Sequence, residues 1–374
     1  MYELKIASIN IIHVLPRLSF LIMTTECGIT GYGEAIVEGR SRTVEMAVKE
    51  LEPHLIGQDP RRIEHLWQMM YRGTFYRGGP ILSSAISGLE QAMWDILGKS
   101  LGVPVYQLLG GHVRDRIRMY KHVHGATTQE LYESAKQAAD EGFTMVKTAI
   151  EIAHILETPS YLFRQIERVE AIRSAIGNNV DFAIDFHGRI SPALAVQIAK
   201  GIEKFNPLFI EEPCLPENVD TMVTIARSTS IPIATGERLF TKWGFREVLE
   251  KQAAFVIQPD LAHCGGIMEG KKIAAMAETY YAAFASHNPL GPINLAASLQ
   301  LAANVPNFLA QEFVLLGEGY LKKPFVIKDG YIDLPEGPGL GIELDEEAMQ
   351  DKIYAGDFDL PREFHSDDHS VADW

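Results

Sequence analysis

The chain has 374 residues, of which 47% are hydrophobic and 22% are charged, as is typical of a globular protein with a large core. At about 150 residues per domain, this length predicts two or three domains, or one large barrel with an attached module. The 34 basic and 49 acidic residues give a formal net charge of −15. Because an acidic surface repels polyanions, we expect no nucleic-acid partner and no binding to anionic membranes.

Three cysteines, Cys27, Cys214 and Cys264, lie far apart in the sequence. This spacing fits neither a disulfide framework nor a paired Cys-x-x-Cys zinc site. The first apolar stretch is interrupted by polar residues, unlike a signal-peptide core, and no run reaches the roughly 20 apolar residues that span a bilayer. We therefore expect a soluble, cytoplasmic protein.

The N-terminal part of the chain combines strands and helices. Short β-like runs over residues 4–14 and 19–24, separated by glycines, predict an antiparallel meander. Two helices are predicted next, one over residues 42–55 and one that begins near Pro80 and ends at Gly102. These elements predict an α+β module over residues 1–116.

Residues 117–318 alternate short apolar runs with helical stretches, which indicates βα units around a parallel sheet. Most of the runs end in a polar residue, and the last six of these residues are 23 to 27 positions apart: Lys147, Asp185, Glu211, Glu237, Asp260, His287 and Glu312. This regularity predicts a TIM-type α/β barrel with these side chains converging at one mouth. A doubly wound sheet is the alternative, but it would bind its ligand at a single switch point, and no strand is followed by Gly-x-Gly-x-x-Gly.

Three carboxylates, Asp185, Glu211 and Glu237, follow successive predicted strands and would enter the mouth side by side. Alone they would repel one another, and a hard divalent cation such as Mg²⁺ removes that repulsion with the oxygen ligands it prefers. Each acid considered singly could instead be a helix cap or a surface residue. The equal spacing of all three favours a metal site.

Two histidines and an aspartate are predicted at the same mouth. His187 lies two residues after Asp185, so strand alternation would put both side chains on one face, and His287 follows a later strand. Asp260 could fix the tautomer of His287 and raise its basicity. Next to a metal-bound carboxylate, a base that removes the α-proton and an acid that expels a β-hydroxyl would dehydrate a hydroxy acid.

Other polar residues near the mouth have more than one interpretation. His122, His124 and His263 lie near predicted barrel loops and remain open between structural and functional roles. Arg189 and Arg238 could bind substrate anions or pair with the metal carboxylates.

An ordered set of motifs over the whole chain resembles the enolase superfamily, and within it the sugar-acid dehydratases of the galactonate type. The motifs include Phe75-Tyr76-Arg77-Gly78-Gly79-Pro80, Asp185-Phe186-His187-Gly188-Arg189, Ile210-Glu211-Glu212-Pro213, Gly236-Glu237-Arg238, Gln258-Pro259-Asp260 and Ser286-His287-Asn288-Pro289. The resemblance implies a modified (β/α)7β barrel, residues 117–318, under an α+β capping domain built from residues 1–116 and the returning segment 319–374. It also implies a homo-oligomer.

The resemblance further implies a role for each site residue. Asp185, Glu211 and Glu237 would bind Mg²⁺, and His287 with Asp260 would be the base. His187 would be the acid, and Glu312 would stabilise the enediolate. The expected substrate-binding side chains are Lys147, Arg238, His187 and His287.

The implied substrate is a small sugar acid, with D-galactonate expected first. Related racemases and lactonizing enzymes carry a second lysine as a base where this chain has Lys147-Thr148-Ala149, which disfavours their chemistry here. Galactonate dehydratases usually have a polar residue in place of Ala149. D-gluconate and D-mannonate are therefore alternative substrates, and a catalytically inactive barrel that acts as a binding protein is a further alternative.

Overall fold

A three-stranded antiparallel sheet opens the chain in the computed structural model, which describes residues 4–151 and 157–373. Its strands are β1 (Ile6–Val14), β2 (Leu18–Thr25) and β3 (Thr30–Glu34), with β2 in the centre. The expected meander is confirmed. Its third strand packs closely on a helix, because a Cβ atom on Gly33 would lie 1.9 Å from the carbonyl oxygen of Gly88.

Four helices follow the sheet: α1 (Ser41–Leu55), α2 (Ile63–Arg72), α3 (Gly79–Leu101) and α4 (Val105–Leu108). Helix α3 has Pro80 in its first turn and ends at Gly102, whose left-handed conformation (φ 70°) stops it as expected. Helices α2 and α4 are absent from the sequence prediction. The buried Trp67 on α2 donates its indole N–H to the carbonyl of Gly265, 2.8 Å away, so this helix attaches the module to the barrel.

A curled parallel sheet forms the barrel, with its strands adjacent in chain order. They are β5 (Lys121–His122), β6 (Met145–Ala149), β7 (Asp181–Asp185), β8 (Phe209–Glu211), β9 (Ile233–Thr235), β10 (Val256–Ile257) and β11 (Ala283–Phe284), after the short β4 (Arg116–Arg118) outside this sheet. Residues 308–311 close the barrel through parallel bridges from Phe308 to Phe284 and from Gln311 to Met119. The predicted modified TIM barrel is confirmed.

A helix follows each barrel strand before the closing segment. These helices are α5 (Thr128–Asp140), α6 (Pro159–Ile176), α7 (Pro192–Ile202), α8 (Val219–Ala226), α9 (Thr241–Glu250), α10 (Ile267–Thr279) and α11 (Pro292–Asn304). Each of the eight parallel segments of the barrel contributes one buried residue to the interior: Tyr120, Met145, Ala183, Phe209, Ala234, Val256, Ala285 and Ala310. The interior is therefore a packed core with its polar groups left at one end. Within the described residues, no helix is long and apolar enough to cross a membrane.

The C-terminal segment returns to the N-terminal module. Strand β12 (Tyr331–Asp333) pairs with β4, and the short helix α12 (Glu346–Met349) follows it. The backbone N–H of Leu15 then donates to Lys352 (2.8 Å), and that of Tyr354 donates to His13 (3.1 Å). Both ends of the chain thus form the cap. The domain boundaries after residues 116 and 318 remain proposals.

Two buried glutamates of the cap bind the N-termini of two barrel helices. Glu90 on α3 accepts hydrogen bonds from the backbone N–H groups of Ile267 (2.7 Å) and Met268 (2.8 Å) at the start of α10. Glu34 on β3 binds the start of α11 in the same way. Burial raises the pKa of each glutamate to about 8, and the backbone donors oppose this rise. The first-turn N–H groups of these helices thus find their acceptors in the cap.

We expect Glu90→Gln to lower the melting temperature. Both carboxylate oxygens of Glu90 accept N–H groups, and an amide in their place leaves at least one buried donor unpaired. A buried donor left without an acceptor costs about 1–3 kcal/mol. Thermal denaturation followed by circular dichroism measures it, with Glu170→Gln on the exposed face of α6 as the control. Equal melting temperatures for the two variants would contradict this role of Glu90.

Candidate active site

The C-terminal ends of the barrel strands surround a cavity of about 420 Å³. In the strand register, Ala149 is paired with Asp185, and Asp185 is paired with Glu211, so these three residues lie at the same level of the mouth. The lining residues are Lys121, His122, His124, Lys147, Ala149, Asp185, His187, His287, Pro289, Glu312, Phe313 and Val314. The structure therefore brings together most of the side chains that the strand ends predict.

Lys147 is buried among three carboxylates. Its Nζ atom lies 2.7 Å from Glu211, 3.2 Å from Glu312 and 3.4 Å from Asp185. Burial acts to lower the pKa of Lys147, but the charges of Glu211 and Glu312 outweigh it and raise the pKa well above its ordinary value. The lysine therefore stays cationic and offsets part of the negative charge of the mouth.

Two of the three predicted metal ligands, Asp185 and Glu237, lie in one cluster with His187, and the third, Glu211, is outside that group. Ligand atoms of Asp185, His187 and Glu237 are all within 4.8 Å of one another. Glu211 uses one oxygen, Oε2, to bind Lys147 and the amide of Gln258. Its other oxygen, Oε1, is buried and accepts no hydrogen bond from any described residue. A buried oxygen without a donor beside further acids fits a hard cation, so the donor set suits Mg²⁺.

The acids of this cluster have perturbed pKa values. Burial raises the pKa of Glu211 to about 7 and also raises that of Asp185. Burial acts in the same direction on Glu237, but the neighbouring His287 lowers its pKa on balance. Carboxylates whose charge is costly when buried gain stability from a bound cation, which agrees with the fit of the donor set.

His287 is held between two carboxylates. Its Nδ1 lies 2.9 Å from Asp260, and its Nε2 lies 3.0 Å from Glu237. Asp260 is itself fixed by the backbone N–H of Ala262 (2.7 Å) and the side-chain amide of Asn294 (2.9 Å). Burial acts to lower the pKa of His287, but the charges of Glu237 and Glu312 raise it well above its ordinary value. A cation bound at Glu237 would offset part of that charge.

His187 reaches the cluster by a different route from the one predicted. Strand β7 ends at Asp185, and His187 lies in the following turn with a positive φ of 49°. Its backbone N–H donates to Asp185 (2.8 Å), and its Nε2 lies 3.2 Å from the same carboxylate. Burial lowers the pKa of His187 to about 4. The turn, and not strand alternation, places this histidine beside Asp185.

Glu312 connects two strands at the mouth. It lies 2.8 Å from Nε2 of His122, and it accepts the backbone N–H of Asn288 (2.7 Å). The ring of His122 stacks on that of His124, with centroids 6.0 Å apart and planes 4° apart. From the sequence, both histidines could be structural or functional, although His-x-His at the end of the first barrel strand is a signal of two side chains on one face. His263 instead lies 2.9 Å from Ser84 of the cap.

Arg238 contacts protein groups. It donates to the carboxylate of Glu212 and to the backbone carbonyl of His187, the latter at 3.2 Å. Glu212 is buried, adopts a positive φ of 41°, and was not identified from the sequence. The arginine thus pairs with an acid next to the predicted ligand Glu211, and its predicted contact with substrate remains a prediction.

Comparisons with known proteins give the family. Residues 130–348 match the enolase C-terminal domain-like family, and residues 13–110 match the N-terminal domain of mandelate racemase and muconate lactonizing enzyme. The chain is 46% identical to a protein named D-galactonate dehydratase from Ralstonia pickettii and 44% identical to one from Pectobacterium atrosepticum. Each alignment covers 99% of this chain and 100% of the relative.

Solved structures agree with these matches. A putative dehydratase from Salmonella enterica superposes with a TM-score of 0.90 at 33% identity, over 94% of this chain and 99% of that one. A mandelate racemase/muconate lactonizing enzyme from Sulfitobacter sp. superposes with a TM-score of 0.91 at 32% identity, over 99% and 100% of the two chains. The capped barrel, the full-length relatives and the two matched domains together show that this chain belongs to the enolase superfamily.

Proposed function

We propose that this protein is a Mg²⁺-dependent hydro-lyase that converts an aldonate, with D-galactonate as the first candidate, into its 2-keto-3-deoxy acid. The observation that carries the proposal is the pair of histidines beside one acidic cluster. His287 is oriented by Asp260, and His187 lies against Asp185 in the same cavity. The names of the full-length relatives support the same reaction class.

Asp185, Glu211 and Glu237 would hold the cation. Bound there, Mg²⁺ supplies Lewis acidity toward the substrate carboxylate as negative charge develops on it. Lys147 offsets the charge of Glu211, Asp185 and Glu312 from within the barrel. The neighbouring carboxylates raise the pKa of Lys147 and keep its amine protonated. A protonated lysine can bind an anionic substrate but cannot remove a proton.

The base and the acid act on neighbouring carbons. Asp260 accepts the proton on Nδ1 of His287. With a cation on Glu237 offsetting the charge that raises the pKa of His287, its Nε2 would take the proton from C2 of the aldonate. The electrons of that bond first move toward the C1 carboxylate to give the enediolate, and they then form the C2–C3 double bond as the C3–O bond breaks. His187 is the acid in this scheme: it must carry a proton when the C3–O bond breaks, against the burial that lowers its pKa. It gives that proton to the departing hydroxyl, which leaves as water, and the resulting enol becomes the 2-keto acid. In this scheme Glu312 stabilises the enediolate while His122 and Asn288 hold it in place.

Alternative substrates and roles follow from the same geometry. D-gluconate and D-mannonate carry the same reacting carbons, so the acid–base machinery does not choose among aldonates. A binding protein without catalysis would bind an aldonate through this cavity and leave it unchanged. We further propose a cytoplasmic homo-oligomer.

The first prediction from the proposed mechanism concerns the metal. We expect chelation to abolish dehydration and added Mg²⁺ to restore it. Glu211→Gln should weaken Mg²⁺ binding severely, because it removes one charge while keeping the side-chain shape. Isothermal titration measures the binding directly, and Glu278→Gln, on the exposed surface of α10, is the control. Full activity of the chelated protein would rule out the metal-dependent mechanism.

The second prediction separates the two histidines. In D₂O, His287→Asn should show no exchange of the C2 hydrogen, whereas His187→Asn should still exchange it and fail to expel the hydroxyl. Loss of an acid or base typically costs ~10² to 10⁴ in rate. Proton NMR follows the exchange, and a keto-acid assay follows the product. Normal dehydration by His187→Asn would assign the acid to another group.

The third prediction concerns the substrate. Specificity constants should be highest for D-galactonate, followed by D-gluconate, with a five-carbon aldonate behind both. A site that hydrogen-bonds a hydroxyl can reject an analogue without it by ~10⁴ to 10⁵. A clear preference for the five-carbon acid or for a diacid sugar would refute this substrate assignment and leave the mechanism intact.

A further inference from the structure

Two residues that line the cavity, Ala149 and His124, have no part in the proposed acid–base chemistry. Strand β5 pairs with β6 so that His122 lies beside Lys147. Past the end of β5, the N–H of Val123 donates to the carbonyl of Lys147 and the hydroxyl of Thr148 donates to the carbonyl of Val123, both at 2.9 Å. His124 and Ala149 follow His122 and Lys147 by two residues, and both line the cavity.

The two histidines are held in a defined orientation. His122 directs Nε2 to Glu312, which fixes that nitrogen as the hydrogen-bond donor. His124 stacks on the His122 ring, and its backbone N–H donates to the hydroxyl of Ser134 (3.2 Å). Burial and the adjacent His122 lower the pKa of His124, so its ring is neutral at pH 7 and offers one donor and one acceptor.

Few other polar groups line the cavity away from the metal cluster. Pro289, Phe313 and Val314 contribute apolar surface, and Lys121 is paired with Glu141. A polyol chain that extends from the reacting carbons requires donors and acceptors for its hydroxyls, because a buried hydroxyl without a partner is costly. The stacked histidines are the groups placed to provide them.

We propose that His122 and His124 form the subsite for the distal hydroxyls of the sugar acid, with His124 as a specificity-determining residue. This proposal rests on the proposed function and refines its substrate class to aldonates with hydroxyls beyond C3. Ala149 offers no hydrogen-bonding side chain, so the polar contact comes from His124, which lines the same cavity.

The test compares substitutions that separate hydrogen bonding from ring packing. His124→Phe keeps a flat ring that can stack on His122 but removes both polar atoms, whereas His124→Asn keeps a donor and an acceptor. The substrates are D-galactonate and a four-carbon aldonate with the same configuration at C2 and C3. The measured quantity is the ratio of their kcat/KM values.

We expect His124→Phe to lower this ratio about 10- to 100-fold, as the loss of one or two substrate hydrogen bonds would. His124→Asn should restore part of the ratio, and the control His65→Phe, on the exposed face of α2, should leave it unchanged. If His124→Phe leaves the ratio unchanged, or lowers both kcat/KM values equally, His124 has only a structural role and the proposal fails. If the unmodified protein dehydrates no aldonate, the proposed function fails instead.

Discussion

The concentration of buried negative charge at one end of the barrel is the constraint on which the rest of the site depends. The C-terminal ends of parallel strands meet at one mouth, where Asp185, Glu211 and Glu312 are buried and Glu237 is partly buried. Such a cluster is stable only when cations and donors neighbour it. Lys147 supplies one positive charge to this cluster from within the barrel. The buried Oε1 of Glu211, which accepts no hydrogen bond from the described residues, is suited to bind a metal ion. The histidine positions then follow from their carboxylate partners.

The cap contributes to the site through buried hydrogen bonds as well as by covering the barrel. Glu34 accepts the backbone N–H of Asn294, and Gln91 donates to the side-chain oxygen of the same residue, 3.0 Å away. Asn294 in turn donates to Asp260, which orients His287. The orientation of the proposed base is thus connected to the seating of the cap by a continuous polar network. A network of this kind requires every member to be satisfied, which favours one relative position of cap and barrel.

The sequence predicted the architecture well because its signals are local and repeated. Apolar runs of strand length at regular spacing, each ending in a polar residue, identify a parallel barrel and the edge at which its chemistry lies. Helix α2 was missed because no strong start or stop residue marks it, and its Trp67 shows its role only against Gly265 of the barrel. Partners such as Lys147 with three acids depend on how strands close into a ring, which no local pattern encodes.

The sequence by itself determined most of the elements, the order of the barrel strands and the identity of the residues at the strand ends. These follow from hydrophobic periodicity, from glycine and proline at element ends, and from residue chemistry. The tertiary structure decided which of those residues interact. A turn with positive φ, and not strand alternation, set His187 against Asp185. The register between β5 and β6 set His122 beside Lys147. Contacts between residues distant in sequence depend on register, turn geometry and barrel closure, and these are properties of the whole fold.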